Sequence, residues 1–255
     1  MSLACPKCGH ERTAESLICE RCGVVFAKLR ERAPAGTGRI PVESCPGAGL
    51  LGERPGVRRV MREWLFDVPP EEVRPFLVGR GILYLLLLTW GWRFLTSSVA
   101  SGYAAESPLH LILLPFHEAG HVIFGVPGIR FLMVLGGTLG QLLVPAIVTG
   151  AFVLRRDRFG GSVGLWWLGQ SFMDVAVYAD DARAGKLPLL GGVTGSEVED
   201  YHDWEVMLGK LGWLPYDHLI ARLMYGGGCV LMIGSLAWGG FVLWRQSRPI
   251  PPGAV

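Results

Sequence analysis

The chain has 255 residues, half of them hydrophobic and only 18% charged, with a mean hydropathy of +0.36. That balance is too apolar for an ordinary soluble domain and fits a small polytopic membrane protein with soluble appendages. A formal net charge of +2 points to neither a strongly acidic nor a strongly basic partner.

The first residues, MSLACPKCGH, are polar and cysteine-bearing, without the basic-then-apolar pattern of a cleavable signal peptide. Cys5 and Cys8 form one tight pair, and after ten intervening residues Cys19 and Cys22 form another. Gly9 and Gly23 follow the pairs and permit the tight turns that aim backbone N–H groups at sulfur. Four thiolates at this spacing predict a structural zinc site in a reducing compartment rather than disulfides. Residues 1–30 resemble the zinc-ribbon family, with Val24, Val25 and Phe26 placed to pack beneath the metal. His10 is surplus to a shell that four cysteines complete. The segment lacks a dense Lys/Arg face, so the expected role is structural or partner-docking, not nucleic-acid binding. Cys45 and Cys229 fall into no pattern.

Residues 31–59 are rich in glycine and proline without periodicity, which predicts a flexible linker. In residues 60–80, Trp64, Leu65 and Phe66 follow the arginines at 58, 59 and 62, as in an interfacial anchor before a membrane segment. Residues 81–248 form the expected membrane domain, all-α with about five membrane segments. The first runs over 81–98 and is interrupted by Arg93, which either snorkels to the interface or pairs with a membrane acid. The second, around 107–129, contains Pro115, which is expected to kink it. The third, 131–154, is uncharged, and Gly136 and Gly140 give it a small-residue face for close helix approach. The fourth, 159–179, buries Asp174, with Gln170 and Asp181 at helical spacing on the same face. A polar interlude over 180–222 carries the acidic run EVEDYHDWE and a short amphipathic helix expected around 200–211. The last segment covers 223–244. The arginines before the first segment place the N-terminus, with the zinc ribbon, in the cytoplasm of an integral membrane protein.

The chemistry concentrates in the second segment, where His117, Glu118 and His121 form an H-E-x-x-H pattern. On a helix, positions four apart share a face one turn apart, so both imidazoles can reach one metal. Glu118 stands beside them, where it can take a proton from a metal-activated water. From residue 107 to 129, histidines aside, Glu118 is the only acidic or basic side chain. Such groups are costly in an apolar segment unless a metal or wet cavity uses them.

A catalytic zinc takes three protein ligands and an open position. The candidates for the third are Asp174, Asp180, Asp181, His202, His218 and His110. Asp174 is favoured because an unpaired carboxylate inside an apolar segment costs several kcal/mol; an ion pair with Arg93 is its competing explanation. His110 lies two turns before His117, too far for the same metal.

His117-Glu118-Ala119-Gly120-His121, an intervening apolar segment and an aspartate in the next resemble the site-2 protease family of intramembrane zinc metalloproteases, over roughly residues 107–180. The resemblance implies His117, His121 and Asp174 as zinc ligands and Glu118 as general base. It also places Gly137 and Gln141 near the active site, where the family carries a Gly-Pro-x-x-Asn element; here Thr138 and Gln141 replace its proline and asparagine. Asp174 lies in FMDVA where the family has Leu-Asp-Gly. The expected function is a zinc-dependent endopeptidase cutting a membrane protein or peptide in the bilayer, with one catalytic and one structural zinc. The alternative is a non-catalytic membrane adaptor whose zinc ribbon docks a partner.

Overall fold

The apolar segments at 81–98, 107–129, 131–154, 159–179 and 223–244 each fall mainly within a helix of the computed structural model, which describes residues 3–4, 11–12, 57–66, 76–198 and 200–248. The chain divides into two compact units, Met1–Arg54 and Pro55–Val255. In the first, strands β1 (Leu3–Ala4) and β2 (Glu11–Arg12) pair antiparallel, Leu3 opposite Arg12 and Ala4 opposite Glu11. Cys5, Cys8, Cys19 and Cys22, and the linker up to residue 56, lie outside the described residues.

The second unit is helical. Helix α1 (Val57–Phe66) begins inside the stretch read as linker and covers most of the aromatic, arginine-bearing segment. Buried Arg158 holds its C-terminal end, donating from Nε to the Trp64 carbonyl (3.1 Å) and from Nη2 to that of Glu63 (3.2 Å). A guanidinium suits this position because the last carbonyls of a helix lack intrahelical partners. Phe66 packs edge-on against Phe241, and Trp238 Nε1 donates to the Leu65 carbonyl.

Helix α2 (Leu77–Thr96) carries the first apolar segment, and the single turn α3 (Tyr103–Glu106) leads to α4 (Pro108–Gly125), which holds the HEAGH motif. Ser107 caps α4 by accepting from the Leu109 N–H, with Pro108 at the first helical position, a pairing that suits a helix start. The helix runs on through Pro115. Arg93 stacks over the Tyr103 ring at 5.4 Å rather than pairing with Asp174.

Helices α5 (Arg130–Leu154) and α6 (Arg158–Asp180) follow, then the polar interlude with α7 (Asp203–Leu211), and finally α8 (Asp217–Ser247). By length and composition, α5 and the stretch Leu214–Ser247 are long and apolar enough to cross a membrane. At 1.5 Å per residue α5 extends about 37 Å, against roughly 30 Å of bilayer hydrocarbon.

The core between α2, α6 and α8 contains Phe94, Trp166, Met173 and Met232, and Tyr225 Oη ties α8 to α2 by donating to the Phe94 carbonyl at 2.8 Å. Helices α4 and α5 cross backbone to backbone. A Cβ on Gly136 would lie 2.5 Å from the Gly120 carbonyl oxygen, and one on Gly140 would collide with the Phe116 carbonyl. The small-residue face anticipated for the third segment therefore meets the glycine inside HEAGH, and this contact sets how far α5 reaches into the site.

Candidate metal centre

Two histidines on α4 and one aspartate at the start of α7 converge. Asp203 Oδ2 lies 2.9 Å from His117 Nε2 and 3.2 Å from His121 Nε2. The three donor atoms all fall within 4.8 Å of one another, the one such group of three among the described residues. Tetrahedral metal bonds of about 2.0–2.1 Å separate neighbouring donors by roughly 3.3 Å, close to the spacing seen here.

The remaining ring nitrogens are already committed. His117 Nδ1 faces Gln141 Oε1 at 3.3 Å, and His121 Nδ1 faces the Met133 carbonyl at 2.9 Å. Oxygens that only accept at these contacts suit a proton on Nδ1, so each Nε2 would be the ligand atom toward a cation. Gly137 completes the setting: a Cβ there would sit 2.5 Å from both Nε2 atoms. No side chain fits where the two donor nitrogens need space. The donor set, two neutral imidazoles and a carboxylate, suits a divalent ion such as zinc.

Asp203 reaches this point because of how α7 begins. His202 caps the helix, its Nδ1 accepting from the Glu205 N–H at 3.3 Å, and Asp203 and Glu205 supply the negative charge favoured in a first turn. The Asp203 N–H donates to Tyr178 Oη at 3.1 Å. Trp204, Met207 and Leu208 on the inner face of α7 pack into a second core with Val134, Val175, Ala179 and Ala221. Burial pushes the Asp203 carboxyl up, but the His117 and His121 rings outweigh it and hold the group below the ordinary aspartate range. Burial lowers the pKa of His202, which is fully enclosed beneath the Tyr178 ring.

Asp174, expected as the third ligand, stands apart from the two Nε2 atoms. Its carboxylate accepts from Gln141 Nε2 at 2.5 Å and faces His110 Nδ1 at 3.0 and 3.2 Å. Its burial is offset by these hydrogen bonds, so the desolvation argument that singled it out is answered without a metal. The other candidates are also engaged elsewhere. Asp180 pairs with His218 Nδ1 at 2.7 Å, and Asp181 accepts from the N–H groups of Lys186 and Leu187.

Glu118 lines the same cavity of about 750 Å³ as His110, His117, His121 and Asp203, and the 187–191 loop lines it too. Among the described residues the Glu118 carboxylate makes no hydrogen bond or ion pair, leaving its lone pairs available to a proton. The motif pair, Glu118, Gly137 and Gln141 are thus brought together, and Asp203 is the residue that sequence reasoning missed. Its signal was the acidic first turn of an amphipathic helix flanked by His202 and Trp204.

No protein-family model, curated protein or solved structure matches the chain. Its chemistry is therefore read from the site itself.

Proposed function

We propose that the chain is an integral membrane zinc endopeptidase of the kind the HEAGH segment resembles, with His117, His121 and Asp203 as ligands and Glu118 as general base. The observation that carries this reading is the meeting of two Nε2 atoms and one carboxylate oxygen beside an unengaged glutamate in one cavity. A metal-binding site alone has no use for that glutamate.

The membrane setting is supported by α5 and α8 and by apolar side chains left open on the other helices, among them Ile82, Leu86, Leu111 and Val122. Large apolar side chains exposed in such number are costly in water and ordinary against lipid. In this reading all five apolar helices lie in the bilayer and the interlude covers the site from one side.

His117, His121 and Asp203 would hold the zinc, which would supply Lewis acidity for a carbonyl and a water. Glu118 takes the proton of the attacking water and returns it to the departing amine. Gly137 keeps the approach to the donor nitrogens clear, and the apolar 187–191 loop adds hydrophobic lining to the cavity. The substrate class is a peptide segment of a membrane protein.

The test is Glu118→Gln in the full chain, co-expressed with membrane protein substrates. The variant keeps size and polarity but cannot accept the water's proton, so it should retain metal and lose cleavage by at least ~100-fold. Undiminished cleavage would sink the mechanism.

A further inference from the structure

We infer that Asp174 is a positioning residue that sets the tautomer of His117 through Gln141. The inference rests on the metal reading of His117, His121 and Asp203 and extends it to residues that touch no metal. Three hydrogen bonds carry it, running from α6 through α5 to α4.

A primary amide has two unlike ends, and which end faces His117 decides the chemistry of that ring. Asp174 is buried and its carboxylate oxygens accept but do not donate, so the Gln141 NH2 must turn toward it; the contact is 2.5 Å. The amide oxygen is then the end left for His117 Nδ1, at 3.3 Å. An oxygen there accepts the Nδ1 proton, which leaves Nε2 as the atom that would share a metal with Asp203. With the amide reversed, NH2 would face Nδ1, the proton would move to Nε2, and the ring would turn an N–H toward the ligand position.

His110 completes the arrangement. Its Nδ1 faces both Asp174 oxygens, at 3.0 and 3.2 Å, and it is partly open to the cavity. It supplies the hydrogen bond that lets Asp174 stay buried while serving Gln141. The acid whose depth in an apolar helix suggested a ligand instead orients one. His121 needs no such device, because its Nδ1 is held by the Met133 main-chain carbonyl, which has no second orientation.

The experiment uses detergent-solubilised full-length protein. Zinc affinity is measured by chelator competition, with Asp203→Ala as the baseline for metal held elsewhere. The His117 tautomer is read from nitrogen-15 histidine spectra of the metal-free protein in an Asp203→Ala background, where no carboxylate competes for a proton on Nε2. Asp174→Leu should weaken the membrane zinc roughly 10- to 100-fold, the range for losing an outer partner of a ligand, and convert His117 to the Nε2-protonated form. Asp174→Asn keeps an acceptor oxygen for Gln141 and should restore most of both readouts. Gln141→Met should match Asp174→Leu, and the double variant should lose no more than either alone, because both break one chain of contacts. If Asp174→Leu does not fold, Gln141→Met and Asp174→Asn carry the test. Unchanged affinity and tautomer in Asp174→Leu or Gln141→Met would overturn the inference. So would complete loss of zinc in Asp174→Asn, which would make Asp174 a ligand. Zinc retained by Asp203→Ala would overturn the metal centre, while the tautomer readout would still decide the role of Asp174.

Discussion

Asp203 Oδ2 and His117 Nε2 lie 2.9 Å apart although 86 residues separate them in the chain. The contact joins the HEAGH helix to the polar interlude, so the candidate site is closed by a segment outside the long apolar helices. Asp203→Ala should therefore remove one metal equivalent from purified protein. His202→Ala should leave that metal in place and cost about 1 kcal/mol through loss of the α7 cap. Elemental analysis and thermal unfolding of both variants check the pair; metal lost from the His202 variant alone would reverse the assignment.

Gly137→Ala adds a single carbon, yet that carbon would lie 2.5 Å from both donor nitrogens. The rings must turn away to accept it, and zinc affinity should fall at least ~10-fold while the helices remain formed. Chelator competition with circular dichroism measures both. An alanine variant with wild-type affinity would mean the metal does not sit between these nitrogens.

Gly136 tests the helix crossing rather than the ligands. Any side chain there meets the Gly120 carbonyl and the Phe124 Cβ, both fixed parts of α4. Gly136→Leu should destabilise the protein by at least ~1–3 kcal/mol, as overpacking of a tight contact does. Thermal unfolding in detergent gives the size of the effect.

Arg158→Met should release α1. The substitution keeps the apolar stem and removes the donors that serve the Glu63 and Trp64 carbonyls. A loss of about 1–3 kcal/mol is expected, felt first at α1 because two carbonyls in its last turn would lose a charged donor. Hydrogen exchange over residues 57–66 should rise well above that of α6.

The apolar helices were legible because length and composition alone separate them from the interlude. The two histidines were legible because helical spacing puts them on one face, and Glu118 because the motif sets it beside them. Asp203 was not, for a physical reason. Desolvation cost ranks acids by how apolar their own helix is, and it ranked Asp174 first. It is blind to partners brought from other helices, and Gln141 and His110 satisfy Asp174 without a metal. Asp203 lies in a polar stretch that looks solvated until Trp204, Met207 and Leu208 fold it inward. Helix α7 itself was expected within three residues of where it starts, but its docking face was not matched to a partner. Gly137 and Gln141 were placed near the site by resemblance; their roles needed the geometry of the histidine rings.

The apolar side of α7 has a consequence for how defects in this protein would present. Trp204 adjoins Asp203 in the chain and anchors it from below. An oily substitution far from any charge would therefore look, in a metal assay, like the loss of a ligand. Trp204→Ala would leave both histidines and the carboxylate intact in composition yet scattered in space. Variants of this protein that starve for metal should thus be sought among its greasy residues as well as its polar ones.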